Sequence, residues 1–309
     1  MSHNECSMST MQTKFPYPLT PIDNYWTGFL GCEIDLLLND SVTHLMPVNH
    51  DLGFWAISRR GGWVITAPPT ACEQWQEQVH RSFAPNSLPD TQNLRQLLHY
   101  SKDQQIYGPA VILLHRTSIA KKMGVAVANE LLDGVSMPYQ LNSRQADPHL
   151  IASPQHNGIA HRNGALAGGT VLHHSREVQP QRAIRPLTVF DYAQVAIFGA
   201  ETGPLAWSLE YPEIWVRIFG VFERGRLVST CAVRVWGELL AEIYVDTLPT
   251  YRRRGYGRAV SQAALTWIHS ETSYYAESVV ELSNLASLYL MQSIGFEPYA
   301  YMVNTYKVN

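Results

Sequence analysis

Apolar and polar residues follow regular strand and helix periods from about residue 182 onward. Residues 257–271 carry apolar side chains at three- and four-residue spacing, which predicts an amphipathic helix. Residues 214–236 are rich in Val, Ile and aromatic side chains on both sides of a Glu-Arg-Gly-Arg turn at 223–226, which predicts two strands. The other predicted elements are a short strand and a helix within 183–199, strands at 239–246, 277–282 and 299–308, and a helix at 285–296.

The order predicted for this region is therefore β-α-β-β-β-α-β-α-β. The spacing of Thr188 and Asp191 is that of a capping box at the start of the first of these helices. Gly295 is expected to end the last helix, because glycine readily adopts the conformation found just past a helix C-terminus.

The pattern before residue 140 is mixed and predicts a separate N-terminal α/β domain over 21–140, preceded by a flexible leader at 1–20. The predicted elements are a helical segment at 24–38, two strands within 53–69, helices at 71–83 and 94–101, and a buried strand at 110–115. The large aromatic residues of this half are expected to lie mainly in the core, with one of them lining a groove: Trp26, Phe54, Trp55 and Trp63.

No period persists between these two regions, so residues 141–181 are predicted to form a linker or long loop. Five of the twelve histidines of the chain lie here: His149, His156, His161, His173 and His174. Their spacing matches no metal-ligand pattern, so no metal site is expected. We expect a polar loop, and a loop that lines the substrate site is the alternative.

Composition limits the classes of function. A chain of 309 residues is long enough for two domains. The net charge of −3, with 16% charged residues, argues against nucleic acid as the partner. No apolar run is long enough to span a membrane, no secretory signal is visible, and the four cysteines are scattered. These observations favour a cytoplasmic protein with no membrane partner.

The segment 245–260, VDTLPTYRRRGYGRAV, carries the clearest chemistry. A strand runs into a basic turn with Gly255 and Gly257, and a helix begins there. Glycines let backbone N–H groups approach a ligand, and a helix N-terminus favours negative charge. The pattern predicts a diphosphate cradle that is neither a Walker A loop nor a Rossmann fingerprint.

The spacing Arg252-x-x-Gly255-x-Gly257 between a strand and a helix resembles the acyl-CoA pyrophosphate loop of the GNAT N-acyltransferase superfamily. Residues 183–192 resemble the first strand and helix of that family. Residues 277–299 resemble its later strand-helix motif, with Asn284, Ser287, Gly295 and Phe296 in register. The resemblance covers about residues 180–309.

The resemblance implies the α/β (α+β) class, with a mixed sheet that is flanked by helices and whose fourth and fifth strands splay apart around the pantetheine arm. The cofactor is then acetyl-CoA or another acyl-CoA, bound as a co-substrate without metal. The residues expected to bind it are Val245, Asp246, Thr247, Arg252, Arg253, Arg254, Gly255, Tyr256, Gly257, Arg258, Asn284, Ser287 and Met291.

The implied reaction is direct attack by an acceptor amine on the acyl thioester, which requires a base. Glu242, Tyr244 and Asp246 share one face of the strand 241–246, and Glu277 and Glu281 share a face of a later strand. Strand carboxylates are often simply solvated. We expect Glu242 or Asp246 to act as the catalytic base.

The sequence departs from the family at the position of its usual acid, a tyrosine four residues before the glycine of the GF pair. That position holds Met291. Tyr289 lies two residues earlier, which places it about 200° around the helix from Met291. Water or one of three other tyrosines could protonate the thiolate instead: Tyr299, Tyr301 and Tyr306.

Residues 111–132 echo residues 242–263, with Lys121-x-x-Gly124-x-Ala126 at the place of the Arg252 motif. A degenerate second acyltransferase-like repeat would make the architecture tandem. Chance similarity between two Ala- and Val-rich helices is the alternative.

The sequence therefore predicts an N-acyltransferase, a monomer or homodimer, that acylates an amine of a small molecule or peptide. One alternative is an acyl-CoA-binding module without catalysis. Another is an acyltransferase that uses a longer acyl-CoA or a carrier-protein donor.

Overall fold

A computed structural model describes residues 19–48, 53–89, 93–94, 104–123, 182–203 and 205–307. The predicted leader, except its last two residues, lies outside the described residues, as do the linker with its five histidines and most of the helix predicted at 94–101.

Seven α-helices and ten strands occur in the described ranges. The helices are α1 (Thr20–Leu30), α2 (Ile34–Leu37), α3 (Pro69–Ser82), α4 (Arg116–Met123), α5 (Tyr192–Thr202), α6 (Tyr256–Glu271) and α7 (Leu285–Ser293). The strands are β1 (Thr43–Pro47), β2 (Trp55–Ser58), β3 (Trp63–Ala67), β4 (Gln104–His115), β5 (Arg182–Pro186), β6 (Trp215–Glu223), β7 (Arg226–Trp236), β8 (Leu240–Thr247), β9 (Tyr275–Glu281) and β10 (Phe296–Lys307). The predicted element order after residue 182 is confirmed.

The strands form one sheet in the order β1-β3-β2-β10-β4-β9-β8-β7-β6-β5. The β1–β3 and β8–β9 pairs are parallel, and the other pairs are antiparallel. Helices cover both faces, so the predicted mixed sheet flanked by helices is confirmed.

Strand β4 joins the two halves of the chain, because it lies between β9 and β10. Leu114 pairs with Glu277 on one side, and His115 pairs with Phe296 on the other. The region predicted as an N-terminal domain therefore contributes to the same sheet as the region predicted as the catalytic domain. The boundary between the two remains a prediction.

The proposed internal repeat is only partly within the described residues. Lys121 lies inside α4, which begins directly after β4, whereas Arg252 lies in the turn before α6. Gly124 and Ala126 lie outside the described residues. Lys121 thus lies in a helix where Arg252 lies in a turn, and the tandem architecture remains a prediction.

Two apolar layers lie against the sheet. One contains Val79 of α3, Phe198 of α5 and Val260 of α6. The other contains Leu30 of α1 and Ile119 of α4. Adjacent residues of a strand belong to different layers because side chains alternate between the faces of a sheet.

A buried polar cluster fixes the start of α1 against the sheet. The Asp23 carboxylate accepts hydrogen bonds from the Leu19 amide at 2.6 Å and from the Tyr299 hydroxyl at 2.5 Å. The Arg59 guanidinium lies 3.4 Å from Asp23 and 4.4 Å from the centre of the Tyr299 ring. Because buried charges are stable only when paired, this cluster determines where the aromatic residues of α1 meet the sheet.

The predicted capping box at Thr188 and Asp191 is also confirmed. The Thr188 amide donates to Asp191 at 2.8 Å, and Arg185 donates two hydrogen bonds to the same carboxylate. The hydrogen bonds from Arg185 lower the pKa of Asp191 to about 2, so this carboxylate stays ionised at the entry to α5.

Candidate functional site

Strands β8 and β9 diverge at the centre of the sheet. They pair only from Leu240–Tyr275 to Glu242–Glu277. Beyond this point β8 continues to Thr247 beside β7, and β9 continues to Glu281 beside β4. A cleft therefore opens between them, as the resemblance implied, and Glu242 and Glu277 mark its closed end.

The backbone of β8 faces this cleft at alternate residues. The Leu248 amide donates to the Val228 carbonyl of β7 at 3.0 Å. Because hydrogen-bonding direction alternates along a strand, Ile243, Val245 and Thr247 direct their backbone groups toward the cleft. The Thr247 carbonyl accepts a hydrogen bond from Arg252 Nε at 3.2 Å. The backbone of Val245 is thus available to an extended ligand.

The predicted anion cradle lies at the open end of the cleft, where α6 begins. Arg253 and Gly255 have φ values of 60° and 81°, and Gly255 precedes the first helical residue. Among the described residues, no backbone carbonyl accepts a hydrogen bond from the amides of 253–258. Four arginine side chains of the turn and first helical turn are exposed: Arg252, Arg253, Arg254 and Arg258. This arrangement fits a diphosphate.

The two cradle glycines have different roles. A Cβ atom at Gly255 would have no atom within 4 Å, so the space above this residue is open. A Cβ atom at Gly257 would lie 3.4 Å from both Leu290 Cδ2 and Thr247 Oγ1. Gly257 therefore allows α6 to pack closely on the end of β8, and Gly255 provides the left-handed turn.

Tyr256 can contribute to the cradle only through its backbone. Its side chain is buried, and its hydroxyl donates to the Glu223 carboxylate. The Arg182 guanidinium lies 4.7 Å from the centre of the ring. These contacts hold the first turn of α6 in place.

The remaining predicted binding residues belong to α7 and its N-cap. The Asn284 Oδ1 atom accepts a hydrogen bond from the Ser287 amide at 3.2 Å, so Asn284 caps α7. Met291 is 3% exposed and belongs to the apolar core, whereas Tyr289 is 52% exposed. The contact predicted between Met291 and the co-substrate is not visible in this arrangement and remains a prediction.

The buried position of Met291 leads to a stability prediction. Replacing Met291 with tyrosine is expected to lower the free energy of unfolding by about 1–3 kcal/mol, because a larger, polar side chain would overpack the core. Met291→Leu, which nearly conserves volume, should cost less than about 1.5 kcal/mol. Urea unfolding of both variants measures the difference. Equal stability of Met291→Tyr and the natural protein would contradict the core position.

A cavity of about 680 Å³ lies on the α1 face of the sheet, next to the closed end of the cleft. Seven of its fifteen lining residues are aromatic, and they come from both halves of the chain. Its lining comprises Tyr25, Trp26, Phe29, Trp55, Tyr107, Ala206, Arg234, Trp236, Glu242, Tyr244, Glu277, Val279, Met302, Asn304 and Thr305. We call it the aromatic cavity.

Glu242 is held rigidly at the floor of the aromatic cavity. It is 5% exposed, and its Oε2 atom accepts hydrogen bonds from Trp236 Nε1 and from the Tyr244 hydroxyl, both at 2.6 Å. Burial raises the pKa of Glu242, and the two hydrogen bonds and Arg234 oppose the rise. A carboxyl with a raised pKa in a cavity is suited to proton transfer.

Glu277 lies beside Glu242 across the last β8–β9 pair. It is 2% exposed, and its Oε1 atom has no hydrogen-bond partner among the described residues. Burial, and then the charge of Glu242, raise the pKa of Glu277 well above its ordinary value. The cavity therefore contains an unsatisfied acceptor that a ligand N–H group could reach.

The structure separates the two predicted base candidates. Glu242 lines the aromatic cavity, whereas Asp246 lies further along β8 and is not among the lining residues. Burial raises the pKa of Asp246, and Trp207 and Arg252 oppose the rise. Asp246 is placed closer to the cradle than to the cavity.

Several cavity residues were not identified from the sequence as site residues. Arg234 and Trp236 share a face of β7, and Tyr25 belongs to α1. Burial, and then Glu277 and Glu242, raise the pKa of Tyr25 to about 12. Trp26 and Trp55 both line the cavity, whereas one groove residue was expected. The alternation of residues along β7, a neighbour of β8 in the chain, could have predicted Arg234 and Trp236 near Glu242. No local sequence signal links α1 to β7 or β8.

Within the described ranges, no group of three His, Cys, Asp or Glu side chains is arranged to hold a metal ion. None of the helices in those ranges has both the length and the apolarity needed to cross a membrane.

Comparison with known proteins assigns part of the chain to a family. Residues 191–296 match the model of the acetyltransferase (GNAT) family. This part of the chain is therefore a GNAT acetyltransferase domain, as the sequence motifs predicted. A search of curated protein sequences finds no match.

A search of solved structures finds acetyltransferases that match part of this chain. A GNAT-family protein from Novosphingobium aromaticivorans is 23% identical, with a TM-score of 0.36, and the match covers 41% of this chain and 57% of that one. The ribosomal-protein-S18-alanine N-acetyltransferase of Escherichia coli is 18% identical, with a TM-score of 0.32 and coverage of 42% and 95%. A GNAT-family acetyltransferase from Streptococcus pneumoniae is 11% identical, with a TM-score of 0.34 and coverage of 41% and 100%.

Proposed function

We propose that this protein transfers an acyl group, acetyl in the first instance, from acyl-CoA to a primary amine bound in the aromatic cavity. One observation carries the proposal. The cleft between β8 and β9 runs from the cradle to the pair Glu242 and Glu277, and both of these buried carboxyl groups also line the aromatic cavity.

The donor side of the cleft fits acyl-CoA. Free amides at the start of α6 and the exposed arginines would bind the diphosphate. The backbone of Val245 would bind the pantetheine arm, and its N–H group would polarise the thioester carbonyl. Acyl-CoA supplies the activated acyl group for the reaction.

The acceptor side fits an amine. Glu242 removes a proton from the bound ammonium, and the free amine nitrogen then attacks the thioester carbon. A C–N bond forms, the nitrogen loses its second proton to solvent as the amide forms, the C–S bond breaks, and the thiolate leaves. Tyr299 donates to Asp23 in the buried cluster, so it is not free to protonate the thiolate. We assign this proton to solvent.

The proposed base predicts the pH dependence of the reaction. A carboxylate base works only when ionised, so kcat/KM should fall as pH drops through the pKa of Glu242. Because that pKa is raised above its ordinary value of 4.5, the fall should begin at higher pH than for an exposed glutamate. The charged and titratable groups that face Glu242 are Glu277, Arg234, Tyr25 and Tyr244. A pH–rate profile measures the pH at which kcat/KM falls on the acid side. A fall at the pH expected for an exposed glutamate would contradict the assignment.

The activity itself is tested with the full-length chain, acetyl-CoA and a panel of primary amines. Release of free CoA thiol that depends on the amine, with mass-spectrometric detection of the amide, would support the proposal. Binding of CoA without turnover of any donor would favour the non-catalytic module. Donor selectivity is tested by replacing acetyl-CoA with longer acyl-CoA and with acyl-carrier-protein thioesters.

We further propose that the protein acts in the cytoplasm as a monomer or homodimer on a small-molecule or peptide amine. The scattered cysteines and the low net charge support this placement. Sedimentation of the purified chain tests the oligomeric state.

A further inference from the structure

The aromatic cavity contains a positive charge directly opposite its base. Arg234 of β7 and Glu242 of β8 are cross-strand partners, and both line the cavity. The Arg234 guanidinium stacks 3.7 Å from the centre of the Trp236 ring. Within the described part of the chain, no carboxylate oxygen lies within 4.0 Å of this guanidinium.

The charges of the cavity are not those expected for a simple amine. Glu242 and Glu277 are buried side by side, and the charge of Glu242 disfavours ionisation of Glu277. Arg234 adds one positive charge. A ligand with only an ammonium group would neutralise the carboxylate and leave the half-buried guanidinium without a partner, which is unfavourable.

We propose that the acceptor is an α-amino acid with an apolar or aromatic side chain, whose carboxylate binds Arg234 and whose amino group faces Glu242 and Glu277. This inference rests on the proposed function and specifies its acceptor. Directly opposite residues on antiparallel strands have Cβ atoms about 4.5–5.5 Å apart. Arg234 and Glu242 therefore leave the same face of the sheet from paired positions, which suits a ligand that carries its amine and its carboxylate close together.

The remaining walls fit an apolar side chain. Phe29 and Trp55 meet edge to face at 4.7 Å, and Trp26 packs against Phe29 at 5.6 Å. Tyr107 closes the far wall, and its hydroxyl donates to the Val279 carbonyl at 3.3 Å. The volume lies within the range of about 300–1,000 Å³ that is typical of small-molecule sites.

The reaction then yields an N-acyl amino acid. The ammonium nitrogen loses one proton to Glu242, gains the acyl carbon, and loses a second proton to solvent as the amide forms. The C–S bond of the thioester breaks, and CoA leaves as a thiolate that solvent protonates to the thiol. The substrate carboxylate is unchanged and remains on Arg234. Arg234 is a specificity-determining residue in this scheme.

The test compares three acceptors with acetyl-CoA and the full-length chain: L-phenylalanine, 2-phenylethylamine, which lacks the carboxylate, and β-homophenylalanine, which has one more carbon between the charges. We expect the highest kcat/KM for L-phenylalanine. In Arg234→Met, KM for L-phenylalanine should rise about 10- to 100-fold, because a charge-assisted contact is lost. KM for 2-phenylethylamine should stay the same or fall. A panel that adds leucine, serine and aspartate tests the side-chain preference.

Arg217→Met is the matched control, because Arg217 also lies over a tryptophan, Trp267, at 5.6 Å but outside the cavity. It should leave both KM values unchanged. Preference for 2-phenylethylamine over L-phenylalanine, an equal rise of both KM values in Arg234→Met, or preference for polar amino acids would overturn the inference while leaving acyl transfer intact. Failure of every amine to release thiol would instead refute the proposed function.

Discussion

Replacing Glu242 with glutamine is expected to lower kcat/KM by about 10²- to 10⁴-fold, the usual contribution of a general base. Glutamine keeps the shape of the side chain and can still accept hydrogen bonds from Trp236 and Tyr244. It cannot take a proton from the acceptor ammonium. Steady-state thiol release measures the loss, and calorimetric CoA binding should be unchanged because Glu242 lies beyond the cradle.

Two further variants make this result specific. Glu271→Gln removes an exposed carboxylate at the end of α6 that does not line the cavity, and should leave kcat/KM unchanged. Asp246→Asn should cost less than Glu242→Gln, because Asp246 does not line the aromatic cavity. If Asp246→Asn abolishes turnover while Glu242→Gln retains it, the base has been assigned to the wrong residue of β8.

Replacing Gly255 with valine is expected to weaken CoA binding by at least about 10- to 100-fold. The new side chain would occupy the open space above the cradle and keep the diphosphate from the amides of α6. Each charge-assisted hydrogen bond lost costs about 1.5–3 kcal/mol. Isothermal titration with CoA measures the affinity.

Gly225→Val is a closely matched control for backbone strain. Gly225 has a φ of 80° in the β6–β7 turn, Gly255 has a φ of 81°, and a Cβ atom at either would have no atom within 4 Å. Both variants should therefore lose similar stability, of about 1–2 kcal/mol for a side chain in the left-handed region. Only Gly255→Val should lose CoA affinity. Equal affinity in the two variants would refute the cradle.

The elements after residue 182 could be predicted because their signals are local. The capping box at Thr188, the hairpin turn at 223–226 and the glycines before α6 each act within a few residues. The cradle was predictable for the same reason, since its amides and arginines belong to one continuous segment.

The aromatic cavity could not be predicted, because it is assembled from distant parts of the chain. Tyr25 and Trp26 come from α1, Glu242 from β8, Glu277 from β9 and Asn304 from β10. Each of these residues alone is typical of a core or of a solvated strand. Only the sheet order, which depends on long-range pairing, brings them around one space.

The burial of β4 could be predicted from the sequence, but its neighbours in the sheet could not. Its run of Val, Ile and Leu at 111–114 indicates burial on both faces but carries no information about its neighbours. A strand with two apolar faces fits any central position of a sheet. Its partners, β9 and β10, are set by the whole topology.

The position of β4 has a consequence for how this protein reaches its native state. The Tyr107 hydroxyl bonds to Val279, 172 residues further along the chain, and the His115 ring bonds to the Ile294 carbonyl over 179 residues. Contacts of such high sequence separation make folding slow, because loop closure must precede their formation. At a synthesis rate of about 5–20 residues per second, β9 and β10 are made many seconds after β4, the strand that they flank. During that time its unpaired edges are open to other chains, so we expect the first half of the nascent chain to need protection until the last strand is made.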